Sequence, residues 1–302
     1  MYDSARWDGF AFRPGDIVIS TSPKSGTTWM QMLCALLVFQ TPHLDRPLTE
    51  ISPWLDQSTA PIDAVRAILD AQLHRRFIKT HTPFDGLPVD DRVTYLCVGR
   101  DPRDVALSMA HHWDNLDMGT VLRLRREVVG DEDLTPFIDQ LQARPDEARA
   151  RFRWWVDNDD AVTSTASSLR AVVHHVDTFW KQRNRDNVAL FHYSDLERDL
   201  TGEMRRLATT LGIAMTETRV EELVEAARFD AMRSRAQELV PGSDIGIFRD
   251  LESFFHAGHS GQWQGFASPD DLARYEARLH ELADPELAAW LTGGERAVDQ
   301  SR

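Results

Sequence analysis

The sequence predicts an α/β fold, a parallel sheet flanked by helices, and three observations predict it. Short apolar runs alternate with segments apolar at helical spacing. The first such run feeds a loop of small residues that opens a helix. Basic residues (Lys24, Lys79, Arg100, Arg103) gather at or just after predicted strand ends, where open α/β sheets bind ligands. With 302 residues and 42% hydrophobic content, the chain can build a single large core. One domain over 1–302 is expected, with a mainly helical insertion at about 115–168.

The elements follow in order. Asp16–Ser20 (DIVIS) reads as a buried strand and Trp29–Phe39 (WMQMLCALLVF) as an apolar helix. A proline-punctuated stretch, Thr41–Pro61, leads to a helical pattern over Ile62–Leu73. Arg76–Thr80 is a short strand and Val93–Val98 a central one. Pro102 stands where an N1 proline opens the helix Arg103–Trp113. From Asn115 to about Ser168 the chain is charged, helix-compatible and free of β-branched runs. Leu169–Gln182 reads as a further helix and Val188–Tyr193 as a further strand.

Forty-eight acidic against thirty-four basic residues give a net charge of −14, which argues against nucleic acid or anionic lipid as a general partner. No apolar run approaches the ~20 residues of a membrane span, and the N-terminus lacks a charged-then-apolar leader, so a cytoplasmic protein is expected. Cys34 and Cys97 sit in apolar segments and read as buried thiols. His111-His112 and His174-His175 lack a third ligand at metal spacing and read as helix-surface or core residues. No metal is expected.

The loop Ser22-Pro23-Lys24-Ser25-Gly26-Thr27-Thr28-Trp29 joins the first strand to the first helix. Free backbone N–H groups and the positive end of the macrodipole favour an anion there. Lys24 adds charge, while Ser25, Thr27 and Thr28 add hydroxyl donors. The common nucleoside-triphosphate loop places Gly-Lys-Ser/Thr four residues after another Gly; here the lysine precedes the glycine.

The order Pro-Lys-Ser-Gly-Thr-Thr-Trp resembles the 5′-phosphosulfate loop of the sulfotransferases that use 3′-phosphoadenosine-5′-phosphosulfate (PAPS), and the resemblance runs from about Gly15 to Phe266. It implies a P-loop nucleoside-triphosphate-hydrolase-like sulfotransferase fold and PAPS as co-substrate without metal. In Lys79-Thr80-His81, it implies that His81 is the catalytic base. It implies that Lys24 and Lys79 act on the transferring group, and that Arg100 and Ser108 hold the 3′-phosphate. Tyr193 is implied to lie near the nucleotide, and Trp29 and Phe229, in the Phe229-Asp230-Ala231-Met232 segment, at the adenine. Trp29 on periodicity alone is equally a core residue. The loop from Phe254 through His256-Ala257-Gly258 to Trp263 matches the family's C-terminal cofactor loop.

Two positions depart from the pattern. His256-Ala257 stands where the family has a basic pair, so either another cation such as Arg249 compensates or cofactor affinity falls. Gln264–Leu272 lacks the family's dimerisation pattern. The acceptor implied by Ser52-Pro53-Trp54-Leu55-Asp56-Gln57 and Arg75–Pro83, which look most like bacterial glycolipid sulfotransferases, is a glycolipid or other amphiphilic alcohol. Phe137, Phe152, Trp154 and Trp155 are candidates for an acceptor site or for helix core. A catalytically weakened adenosine-bisphosphate-binding protein and a P-loop kinase stay open as alternatives, the second needing a strand-end Asp for magnesium, for which Asp101 is the candidate.

Overall fold

A computed structural model describes residues 2–130, 134–162 and 167–301. Its elements are β1 (Ile17–Thr21), α1 (Thr27–Phe39), α2 (Leu48–Ile51), α3 (Ile62–Ala71), β2 (Phe77–Thr80), β3 (Thr94–Gly99) and α4 (Pro102–Asn115). Then come α5 (Met118–Val129), α6 (Thr135–Ala143), α7 (Ala148–Asp157), α8 (Leu169–Trp180), β4 (Val188–His192), α9 (Tyr193–Arg198) and α10 (Leu200–Thr210). The chain closes with α11 (Glu217–Ala226), α12 (Phe229–Ser234), α13 (Ala236–Leu239), α14 (Pro269–Leu282), α15 (Pro285–Gly293) and α16 (Glu295–Ser301).

The four strands pair in the order β2-β1-β3-β4, all parallel. Register sets Ser20 beside Thr80 and Cys97, and Gly99 beside His192, so the four strands end along one edge of the sheet. Side chains alternate between its faces. Ile17, Ile19, Phe77, Leu96, Val98 and Phe191 pack on one side with α1, α10 and α11. Val18, Ile78, Tyr95 and Cys97 pack on the other against Val65 and Leu69 of α3, Phe179 of α8 and Trp7. Covering both faces explains why these strands read as continuous apolar runs. A third core joins α4, α7, α8, α14 and α15 around Val105, Trp155, Tyr275 and Trp290.

The expected insertion is helical where described, in α5, α6 and α7; residues 131–133 and 163–166 lie outside the described part. Tyr193, expected to end a strand, instead begins α9: the His192 ring accepts a hydrogen bond from Ser194 N–H and caps the helix. Asp16 likewise falls before β1, because its carboxylate turns to the Arg76 guanidinium (Nε–Oδ1 2.9 Å, Nη2–Oδ2 2.5 Å). Both partners are almost wholly buried.

That pair gives a test of the fold. Arg76→Met strands a buried carboxylate and lowers unfolding free energy by about 3–5 kcal/mol, whereas adding Asp16→Asn to it restores part of the loss. Urea denaturation of both single variants and the double variant reads this; a double loss equal to the sum of the two single losses would show that the pair is not coupled.

Candidate functional site

The loop after β1 is wound by two left-handed residues, Lys24 (φ 67°) and Gly26 (φ 99°). A Cβ on Gly26 would stand 3.1 Å from the Tyr193 ring, so glycine is required there on both counts. Hydroxyls lock the loop from inside: Ser22 Oγ lies 2.7 Å from Ser25 Oγ, and Thr21 Oγ1 lies 2.5 Å from Thr27 Oγ1. Ser25 corrects the sequence reading. Its hydroxyl is wholly buried against Ser22 and its N–H donates to the Ser22 carbonyl, so it shapes the cradle rather than offering a donor to a ligand. The other sixteen candidate residues all line one cavity of about 420 Å³ at the strand ends.

Three of them are basic side chains, Lys79 and Arg100 buried and Lys24 partly buried. Among the described residues none makes an ion pair. Each instead rests on an aromatic face, Lys24 Nζ 4.4 Å from the Phe254 centroid, Lys79 Nζ 4.0 Å from Trp54, and the Arg100 guanidinium 4.2 Å from Tyr193. Arg100 also donates to the Lys24 carbonyl at 3.0 Å, while its Nε is buried with no hydrogen-bond partner. Burial, with the charges of Arg100 and Lys79, lowers Lys24 to about 7. Burial also lowers Lys79, to about 8, against the opposing charge of Asp56. Such a group of unpaired cations and an unmet donor suits a ligand with more than one acidic group.

His81 leaves the end of β2 beside these cations. Its Nδ1 lies 2.7 Å from the Thr21 carbonyl, which can only accept, so Nδ1 carries the proton and Nε2 presents a lone pair. Burial, and then the Lys79 charge, hold the ring well below the ordinary histidine range. The imidazole is therefore neutral at pH 7 and able to take a proton.

Aromatic rings form much of the cavity wall. Trp29 is fixed by a 2.9 Å bond from Nε1 to the Ala227 carbonyl and meets the Tyr193 ring at 5.2 Å. Phe229 presses on Gly258, where a Cβ would fall 2.4 Å from its ring. Met232, Phe254, Ala257 and Ser108 complete this part of the wall. His256 stacks on His111 at 3.8 Å, and burial, with the charges of His111, Lys24 and Arg100, lowers its pKa. Arg249 is exposed, donates to the Asp114 carbonyl at 3.3 Å and does not line the cavity, so it does not replace the missing basic pair.

Several site residues escaped the sequence reading. His112, read as surface or core, lines the cavity between Phe248 and Phe254, and burial with the charges of Lys24 and Lys79 keeps it well below its ordinary range. Trp54, Asp56 and Tyr2 surround His81. Phe152 and Trp155 belong to the α4–α7–α8 core and lie outside the cavity; its apolar walls come from Leu116, Val121, Ile247, Phe248 and Leu239. Asp101 accepts from Arg103 N–H and pairs with the Arg103 guanidinium, capping α4. Among the described residues no group of three or more His, Cys, Asp or Glu is placed to hold a metal. One sequence signal marks the site: the chain has three lysines, and two of them are Lys24 and Lys79, the third being Lys181.

Comparison with known proteins places the chain in a family. Residues 14–285 match the family model of the sulfotransferase domain. Glycolipid sulfotransferases of Mycobacterium bovis and Mycobacterium tuberculosis are each 46% identical, covering 99% of this chain and 94% of theirs. In fold, the chain is similar to retinol dehydratase in complex with androsterone and inactive cofactor PAP (TM-score 0.71, 21% identity, 94% of this chain and 84% of that one). It is also similar to a mouse sulfotransferase complexed with PAP (TM-score 0.68, 18% identity, 95% and 91%). With a loop built for anions, unpaired cations and this match over most of its length, the chain belongs to the sulfotransferase family.

Proposed function

We propose that the protein transfers the sulfuryl group of PAPS to the hydroxyl of a glycolipid or similar amphiphilic alcohol. The observation that carries this is the convergence of partly buried Lys24 and buried Lys79 and Arg100, none in an ion pair among the described residues, on the cavity that His81 also lines. Arg100, with its unmet Nε, and Ser108 fit a 3′-phosphate, and the loop through Thr28 fits the 5′-phosphosulfate. Trp29 and Phe229 fit the two faces of an adenine.

Chemical roles follow from these positions. His81 Nε2 takes the proton of the acceptor hydroxyl as that oxygen bonds to sulfur. The bond from sulfur to the 5′-phosphate oxygen breaks, and Lys24 meets the charge left on that oxygen. Lys79 holds the sulfuryl oxygens. For the acceptor, support comes from the glycolipid sulfotransferase relatives and from the apolar wall of Leu116, Val121 and Phe248 in the cavity that His81 also lines. A kinase reading loses its magnesium candidate because Asp101 is committed to Arg103. Incubation with sulfur-labelled PAPS and either octyl glucoside or detergent-dispersed glycolipid tests the reaction; label found in neither product, with donor intact, would overturn it.

Adenosine 3′,5′-bisphosphate raises the melting temperature far more than AMP, since the second phosphate meets Arg100; equal shifts in thermal unfolding would remove the 3′-phosphate assignment. His81→Ala keeps bisphosphate affinity but slows transfer by about 10²-fold or more, read by steady-state kinetics. Bisphosphate affinity is also linked to protons. Lys24 titrates at about 7 in the free protein, and a bound anion favours its charged form. Affinity is therefore greatest below that pH and falls as pH rises through 7 to 9, with proton uptake on binding. Calorimetry in two buffers of different ionisation heat measures the uptake; none at pH 8 would show that Lys24 stays charged when the site is empty.

A further inference from the structure

Asp56 is wholly buried, and four donors converge on its Oδ2: Thr80 Oγ1 at 2.6 Å, Thr82 Oγ1 at 2.7 Å, Thr82 N–H at 3.0 Å and His81 N–H at 3.2 Å. Oδ1 makes no hydrogen bond of good geometry, but the Trp54 indole N–H, itself without a partner, lies near enough to the carboxylate to favour its charged form. A proton on Oδ1 would have nothing to bond to, so the four donors favour the ionised carboxylate. Burial raises the Asp56 carboxyl, and the Thr80 and Thr82 hydroxyls oppose that rise.

The segment carrying Asp56 is itself tied to the strand it serves. Lys79 N–H donates to the Pro53 carbonyl at 2.9 Å and Leu55 N–H to the Lys79 carbonyl at 3.1 Å. Trp54 lies under Lys79 Nζ and edge-on to the His81 ring (4.9 Å, 81°). From the N-terminal turn, Trp7 Nε1 donates to Thr80 Oγ1 at 3.1 Å and Asp3 N–H to the Asp56 carbonyl at 2.8 Å. Ring orientation of His81 comes from Thr21, but the placement of its backbone comes from Asp56.

We propose that Asp56 is the positioning residue of this site. Its carboxylate fixes the Lys79–Thr82 chain end so that His81 is aimed, and from the segment paired with Lys79 it sets a buried negative charge among the cations of the site. The inference rests on the sulfuryl-transfer reading for the roles of Lys79 and His81. Around Lys79 the charged and titratable groups are Asp56, Lys24 from the first loop, His81 at the end of β2 and His112 from α4; His175 of α8 lies behind His81, its Nε2 3.1 Å from Ser20 Oγ. Asp56 is the acidic member of this set.

Asp56→Asn separates the two roles, because an amide can keep its oxygen toward the four donors while losing the charge. With three lysines in the chain, lysine labelled with ¹³C at Cε gives three side-chain signals, assigned with Lys181→Arg and Lys79→Met. In Asp56→Asn the Lys79 midpoint falls by roughly one pH unit or more, and the alkaline limb of the transfer rate moves down with it. Acceptor KM does not change. An unmoved Lys79 midpoint overturns the counter-charge, whatever happens to the rate.

Thr82→Val tests the aiming independently, and remains available if Asp56→Asn does not fold. It removes one donor from Oδ2, leaves every charge, and lowers kcat about fivefold with the Lys79 midpoint in place. Transfer is measured to octyl glucoside, or to water where that glycoside is refused. An unchanged kcat overturns the aiming. Bisphosphate binding by the wild type is measured alongside: its absence would sink the PAPS reading and leave the lysine titration to decide on Asp56.

Discussion

The constraint on which this molecule depends is the gathering of three cations in one cavity without carboxylate partners, two of them buried and one partly so. Lys24, Lys79 and Arg100 come from the ends of three adjacent strands, and in-register parallel pairing brings those ends together. Carboxylate partners would hold them at less cost, but they would also cancel the field that an anion needs. Aromatic faces solve this differently. Phe254, Trp54 and Tyr193 each attract a cation by about 0.5–2 kcal/mol while leaving its charge uncancelled. The cations repel one another, and an anionic ligand relieves that repulsion. This is preorganisation in the electrostatic sense, with the donors in place before the ligand arrives.

The same logic explains the dense hydrogen bonding behind the site. Cations that repel one another must be held by something other than their mutual contacts. Lys24 is held through its left-handed backbone and its carbonyl bond to Arg100. Lys79 is held by the 53–55 segment running alongside β2. His81 is pinned at ring and backbone by Thr21 and Asp56. The chemistry faces the cavity, and the restraint comes from behind it.

What the sequence made legible follows the range over which each signal acts. The first strand, loop and helix were readable because they are contiguous: apolar run, small residues, apolar helix. Lys24, His81 and Arg100 were readable because each directly follows a strand. Ser25 was misread because the loop's local chemistry does not tell which hydroxyl turns inward to Ser22. Trp54 and Asp56 stand together in the Ser52–Gln57 motif with no role legible there, because the partners of Asp56 lie some 24 to 26 positions later and only the pairing of the 53–55 segment with β2 brings them together. Phe152 and Trp155 belong to a core completed by α14 and α15, more than a hundred residues downstream, so no local pattern could tell core from acceptor wall. Arg249 was attractive as a nearby charge, but its guanidinium is taken by the Asp114 carbonyl.

The scarcity of lysine has a chemical consequence. An amine is nucleophilic only when unprotonated, and burial brings Lys24 to about 7 and Lys79 to about 8. Lys181, on the surface and bonded to Asp177, is instead shifted upward. Near neutral pH, the lysine reactivity of this chain is therefore concentrated inside one cavity. A small electrophile that enters it, such as an anionic aldehyde forming a Schiff base, meets the two most nucleophilic lysines of the protein, and the ligand that fills the cavity shields them. The arrangement that prepares the site for an anion also makes it the place where this protein is most open to covalent inhibition.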